Sequence, residues 1–432
     1  MTTHKSLADG VRAREVWSWA MYDFANSGYT TVVITAVFNA YFVAEVAQGA
    51  PWATFAWTGA LAVSYIAIIA TAPFIGAYAD AHAAKKKVLA ITTAGCVVFT
   101  AALALVDPGE LWLAIVLIAL SNFFFGTGEN IVAAFLPEIS DGESMGRVSG
   151  WGWSLGYLGG LVALGLCLAY VTYAQAEGLP ASHFVPVTML ITASLFAAAS
   201  LPTFLFLRER ARPVKAGGAA RSVLARLAET IRQASRYRDL ARFLTGVVFY
   251  QAGIQAVVAL AAIYAQEVMG FTTRDTITLI LVVNVTAACG AFVFGHVQDR
   301  LGHVRTLALT MLAWIAAILL AWSAQGPALF WAAANVVGIA LGSSQSAGRA
   351  LVGYLSPPDR TAEFFGLWGL AVKLSAVLGP ITYGTVTWLS NNDHRLAILL
   401  TGVYFLIGLA IVAGINAQRG RAAALAALSH AP

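Results

Sequence analysis

Apolar residues along this chain come in long unbroken runs, without the alternation of a half-buried strand or the single stripe of a surface helix. Run after run reaches the roughly 20 residues needed to cross a hydrocarbon core about 30 Å thick. Breaks made by charge, Pro and Gly separate about twelve candidate helices. In the first half these cover 17–43, 56–79, 88–106, 111–136, 148–171 and 184–207. In the second they cover 243–265, 276–297, 307–324, 328–355, 364–389 and 396–415.

Composition turns this pattern into a statement about solvent. Of 432 residues 59% are hydrophobic and 11% charged, against roughly 45–50% apolar and 25% charged in a soluble domain. No water-soluble core hides that much apolar side chain, so the chain is expected to be an all-α integral membrane protein. Cys96, Cys167 and Cys289 stand in separate apolar runs. They read as buried small hydrophobes, and no disulfide framework or metal site is expected. The polar, mixed-charge start lacks the layout of a cleaved signal peptide, so the first span is expected to persist.

Cationic loops stay on the cytoplasmic side of a membrane. Lys5, Arg12, Arg14, Lys85, Lys86, Lys87, Arg147, Arg300, Arg305, Arg360, Arg419 and Arg421 all flank alternate loops or termini, whereas the other loops hold only Arg274 and Arg395. Both termini are therefore expected in the cytoplasm, which requires an even number of spans. The implied organisation is a six-helix half over 1–207, a basic linker over 208–240, a second half over 241–416 and a tail over 417–432. Within the linker Val223, Leu224, Leu227, Ile231 and Tyr237 approximate one helical face. Two readings fit it: a solvated connection, or a helix lying on anionic headgroups.

The two halves carry a common signature. Gly76 and Asp80 stand in a Gly-x-x-x-Asp pattern after the second span, trailed by Lys85, Lys86 and Lys87. Gly295 and Asp299 repeat it after the eighth, followed by Arg300 and Arg305. Equivalent loops with one pattern imply parallel repeats, as in major facilitator transporters. Gly permits close helix approach, Asp is suited to a neighbouring helix N-terminus or an Arg, and the cations are expected at the cytoplasmic surface, together forming a latch.

A charge deep in a span costs about 2.5–3.5 kcal/mol on insertion scales, which makes each one a functional candidate. Asp23, Glu129, Arg349 and Lys373 qualify. Glu129 and Arg349 each precede a proline (Pro137, Pro357) by eight residues in the fourth and tenth spans, which puts both about 12 Å inside the cytoplasmic end. The expectation is that they face each other across a central cavity and hold a zwitterion, with a structural ion pair or snorkelling as the alternative. Lys373 falls near mid-membrane, as a solute contact or as the counter-ion of Asp23 or Glu129. Asp23, followed by Asn26, suits a gating contact, a proton site or a helix-start dipole partner. Gln251 and Gln255 occupy the equivalent stretch of the seventh span and suit amide or carboxylate groups. Gly152, Gly156 and Gly160 suit close packing, and Gly379-Pro380 a kink.

These residues resemble the vacuole-effluxer-like branch of the major facilitator superfamily. The similarity lies in Tyr22-Asp23-Phe24-Ala25-Asn26-Ser27, in Ala134-Phe135-Leu136-Pro137-Glu138-Ile139, in Gly146-Arg147-Val148-Ser149-Gly150 and Gly156-Tyr157-Leu158-Gly159-Gly160, in Ser344-Gln345-Ser346-Ala347-Gly348-Arg349, in Ala362-Glu363-Phe364-Phe365-Gly366, and in Lys373 with Leu378-Gly379-Pro380. Fungal members export amino acids from vacuoles, so the resemblance implies a major facilitator fold and an amino-acid-like solute, and it adds Gln345 to the candidates. Ala252 stands where the family often has Asp, and Val132-Ala133 where it often has Tyr-Asn.

The expected function is secondary transport of a small polar solute by alternating access, with Asp23 and Glu129 available for proton coupling. The alternatives are export of drugs or lipid-like solutes, and a transporter-like sensor. There is no phosphate-binding Gly-x-x-x-x-Gly-Lys loop, metalloprotease His pair or nucleophile elbow, so neither an ATP-driven pump nor an enzyme is expected. No cofactor, metal or nucleic acid is implied. A monomer in a bacterial inner membrane is expected.

Overall fold

The structure, a computed structural model, describes residues 7–211, 232, 237–391 and 393–429, and all regular structure among them is helical. Among the described residues twelve helices are long and apolar enough to cross a membrane. They are α1 (Ala13–Val46), α2 (Ala53–Ala81), α3 (Lys85–Ala102), α4 (Leu111–Ala133), α5 (Met145–Ala176), α6 (Ala181–Phe206), α7 (Arg238–Glu267), α8 (Thr273–Leu301), α9 (His303–Ser323), α10 (Pro327–Leu355), α11 (Thr361–Leu389) and α12 (His394–Ala413). A thirteenth, α13 (Ala417–Ser429), follows them. Most overrun the apolar stretches that announced them, because a helix continues its own hydrogen bonding past the hydrocarbon edge. The amphipathic face expected in the linker falls almost wholly on 212–231 and 233–236, outside the described residues.

Packing repeats with an offset of six helices. In the first half α1 lies against α5 and α6, α2 against α4, and α3 against α4 and α6; in the second α7 lies against α11 and α12, α8 against α10, and α9 against α10 and α12. The halves meet along α2 with α11 and α5 with α8. Glycine makes both seams possible: a Cβ on Gly76 would lie 2.5 Å from the Ala362 carbonyl oxygen, and one on Gly150 the same distance from that of Ala291. Gly156, Gly159 and Gly160 admit the backbone or side chains of Phe24, Ser27 and Thr31 in α1, the close approach expected of small residues at fourfold spacing.

One expectation needs correction. Cys289 is exposed, while Cys96 and Cys167 are buried; in a membrane an apolar run has no obligation to face protein. Helix α11 continues through Pro380, where the kink was expected, and Gly379 there leaves room for the Ala252 carbonyl of α7.

Candidate functional site

On the basic face, where both ends of the bundle emerge, Asp80 reaches from the end of α2 to the start of α11. Its carboxylate accepts from the backbone N–H of Ala362 at 3.2 Å and of Glu363 at 3.0 Å, two of the donors that an N-terminus leaves unpaired. Lys85 was expected at the surface; it is completely buried instead. The ammonium donates to Glu138 at 2.8 Å and to the Thr361 hydroxyl at 2.7 Å, and lies 3.4 Å from Asp80. Two carboxylates and a helix start enclose it, which compensates its desolvation. The repeat mate is looser. Asp299 accepts from the Arg147 N–H at 3.2 Å and stands 3.4 Å from its guanidinium, and Arg300 takes no part.

Deeper in the bundle, α10 of one half grips α1 and α5 of the other. Arg349 donates to Asp23 at 2.6 Å, to the Ser149 hydroxyl at 3.1 Å and to the Ser149 carbonyl at 2.8 Å. Its guanidinium lies 4.7 Å from the Trp19 ring and 5.3 Å from the Trp153 ring, and Ser149 in turn donates to the Ser346 carbonyl at 2.9 Å. A planar fork fills such a site where an ammonium would leave partners unmet. Gly152 belongs here: any side chain on it would collide with the Asp23 carboxylate and Arg349.

Glu129 therefore does not pair with Arg349. Its partner is Lys373 of α11, at 3.5 Å, and that ammonium also stands 5.2 Å from the Tyr65 ring. Glu129 and Arg349 have similar depth, yet depth does not specify which way a helix presents a side chain. The two cross-half pairs differ in kind. Asp23 and Arg349 are close and sealed, with side-chain exposures of 11% and 4%. Glu129 and Lys373 stand beyond the 2.7–2.9 Å of a charge-assisted hydrogen bond, with exposures of 33% and 12%.

Other candidates gather around these pairs. Gln251 donates to Gln345 at 2.7 Å, tying α7 to α10, and Gln255 one turn on is half-buried. Buried polar atoms without a hydrogen-bond partner among the described residues include Asn26 Oδ1, Gln251 Oε1, Asn130 Nδ2, Trp153 Nε1, Trp368 Nε1 and Ser346 Oγ. These come from six different helices, α1, α4, α5, α7, α10 and α11. Unmet buried polar groups are candidates for contact with a polar ligand or water. Sequence reasoning passed over Ser149, Trp19, Trp153, Asn130 and Tyr65. Asn130, a polar residue inside an apolar run, carried a signal; a Trp that faces protein looks in sequence like one that faces lipid.

The Asp80 and Asp299 latches lie at the helix ends, whereas Glu129 and Arg349 both stand inside their helices. The Glu129 side chain remains one-third exposed. Among the described residues no three His, Cys, Asp or Glu side chains converge as a metal site.

Comparison with known proteins agrees with this architecture. The family model described as "Vacuole effluxer Atg22 like" matches residues 53–425. An MFS-type transporter of Bacillus subtilis, YxiO, is 27% identical over 402 residues, covering 92% of this chain and 93% of that protein. Autophagy-related protein 22 of Candida glabrata is 26% identical over 207 residues, 45% of this chain and 38% of the fungal one. Among solved structures, the human organic anion transporter MFSD10 superposes with a TM-score of 0.72 at 14% identity, over 92% of this chain and 99% of that one.

Proposed function

The chain belongs to the vacuole effluxer Atg22-like family and is a membrane transporter of the major facilitator type, and from that premise we propose that its cargo is a small zwitterion of the amino-acid class. The observation that carries this reading is the Glu129–Lys373 pair: a carboxylate and an ammonium from opposite halves, 3.5 Å apart and partly exposed. A zwitterion offers each its complement. Its carboxylate takes Lys373, its ammonium takes Glu129, and one loose ion pair becomes two closer ones. Gln251, Gln345, Gln255, Asn26 and Asn130 are the further polar contacts of this reading.

Transport then follows from the ordering of the pairs. Solute binding acts at the exposed pair, whereas Asp23–Arg349 and the Asp80 and Asp299 latches hold the cytoplasmic side shut until the halves rock. Removing one partner from a buried ion pair costs about 3–5 kcal/mol, enough to make Asp23–Arg349 a gate. Neutralising Asp23 by a proton releases Arg349, which links proton movement to opening. The domain reading of two six-helix halves joined by a basic linker fits this rocking, and the membrane we assign is a bacterial inner membrane.

Reconstitution into liposomes with tracer amino acids, organic acids and organic amines tests the reading. Uptake of zwitterions, with neither singly charged class competing at equal concentration, is the expected outcome. Exclusive transport of anions or of apolar compounds sinks it. Imposed pH gradients and an uncoupler test the coupling, which fails if the rate ignores both.

A further inference from the structure

On the outside of the α5–α8 seam, Phe292, Val293, His296, Val297 and Arg300 line a shallow groove of about 330 Å³. Phe292 and Val293 are about half exposed, at 49% and 52%. Arg300, at the cytoplasmic end of α8, is exposed and makes no hydrogen bond or ion pair with the described residues. An unpaired cation at a helix end beside an open apolar groove contrasts with the repeat mate, where Ala81 follows Asp80.

Spacing along α8 fits a lipid. From Phe292 to Arg300 is eight residues, about 12 Å along a helix, with the apolar end toward the hydrocarbon and the cation at headgroup level. The first half supplies a flank: Trp151 of α5 lies 6.2 Å from the His296 ring, and the exposed Trp17 stacks parallel to Trp151 at 6.4 Å. Amphipathic Trp rings favour this interface. The His296 ring adds chemical selection. Its Nδ1 faces the Phe292 carbonyl at 2.8 Å; a carbonyl only accepts, so Nδ1 carries a proton, and in the neutral tautomer with that proton Nε2 is an acceptor.

We propose that this groove is a binding site for an anionic phospholipid with a hydroxylated headgroup, of the phosphatidylglycerol type, from the cytoplasmic leaflet. The phosphate pairs with Arg300, a headgroup hydroxyl donates to His296 Nε2, and an acyl chain lies over Phe292, Val293 and Val297. Both halves contribute to the site, α8 directly and α5 through Trp151.

Native mass spectrometry of the purified full chain, titrated separately with phosphatidylglycerol, phosphatidylethanolamine and phosphatidylcholine, tests this. Phosphatidylglycerol is expected to bind most tightly. One cation near a membrane surface contributes about fivefold in affinity, so Arg300→Gln is expected to lose about that factor for phosphatidylglycerol while Arg300→Lys retains it. His296→Phe is expected to weaken phosphatidylglycerol and leave phosphatidylcholine unchanged. Equal binding of phosphatidylcholine to the unaltered protein, an unchanged affinity in Arg300→Gln, or displacement of the lipid by millimolar inorganic phosphate overturns the proposal. Thermal unfolding in phosphatidylcholine, expected to be the same for all variants, separates lost binding from lost folding.

Discussion

Arg349 and Asp23, 326 positions apart in the chain, lie 2.6 Å from each other across the two halves. Helix α10 is thereby tied to α1, while a second, looser cross-half pair is formed by Glu129 and Lys373. The tight pair also bonds Ser149 and has two indoles close by, whereas the loose one is partly exposed. This difference orders the behaviour expected of variants.

Arg349→Lys keeps the charge but loses the fork that serves Asp23 and Ser149 together. Transport in liposomes is expected to fall at least tenfold, about 1.4 kcal/mol or more. Asp23→Asn is expected to raise the population open to the cytoplasm, read as faster alkylation of a cysteine introduced at Ser346. Retention of full activity by Arg349→Lys would remove the fork from the mechanism.

Glu129→Gln and Lys373→Gln are expected to leave the thermal midpoint within a few degrees, because the pair is loose and partly exposed. Each should raise the half-saturating solute concentration about tenfold or more by removing a charge-assisted contact. Unchanged concentration dependence in both variants would move the solute elsewhere.

Lys85 is the least exposed cation of the cytoplasmic latch. Lys85→Met leaves Glu138 and Asp80 without their ammonium, and destabilisation of about 3–5 kcal/mol is expected. The double variant Lys85→Met/Glu138→Gln should recover part of that, as read in thermal unfolding. Additive losses would mean that the two side chains act independently.

Gly76→Ala introduces a methyl 2.5 Å from the Ala362 carbonyl oxygen and 2.8 Å from Glu363 Cα. Neither is the end of a flexible side chain, so α2 and α11 must part; overpacking of this kind costs about 1–3 kcal/mol. Spin-label distances between the cytoplasmic ends of α2 and α11 are expected to lengthen. The same substitution at Gly59, with nothing within 4 Å of its Cβ position, serves as the control.

The sequence by itself determined the solvent, the twelve spans, their orientation and the sixfold offset between halves. Each of these depends on sums over stretches of chain: transfer free energy along about 20 residues, cation counts in alternate loops, a Gly-x-x-x-Asp pattern seen twice. It also picked out Asp23, Glu129, Arg349 and Lys373, since a charge in hydrocarbon is costly wherever it stands. Only the tertiary structure decided their partners. A helix turns about 100° per residue, so Glu129 and Arg349 share a depth while presenting their charges to Lys373 and Asp23. Lys85 was likewise beyond reach of a surface rule, because its burial depends on Glu138 and Thr361, 53 and 276 positions away. Pairing is decided by helix rotation and by which backbones glycine lets approach, and both are properties of the packed bundle.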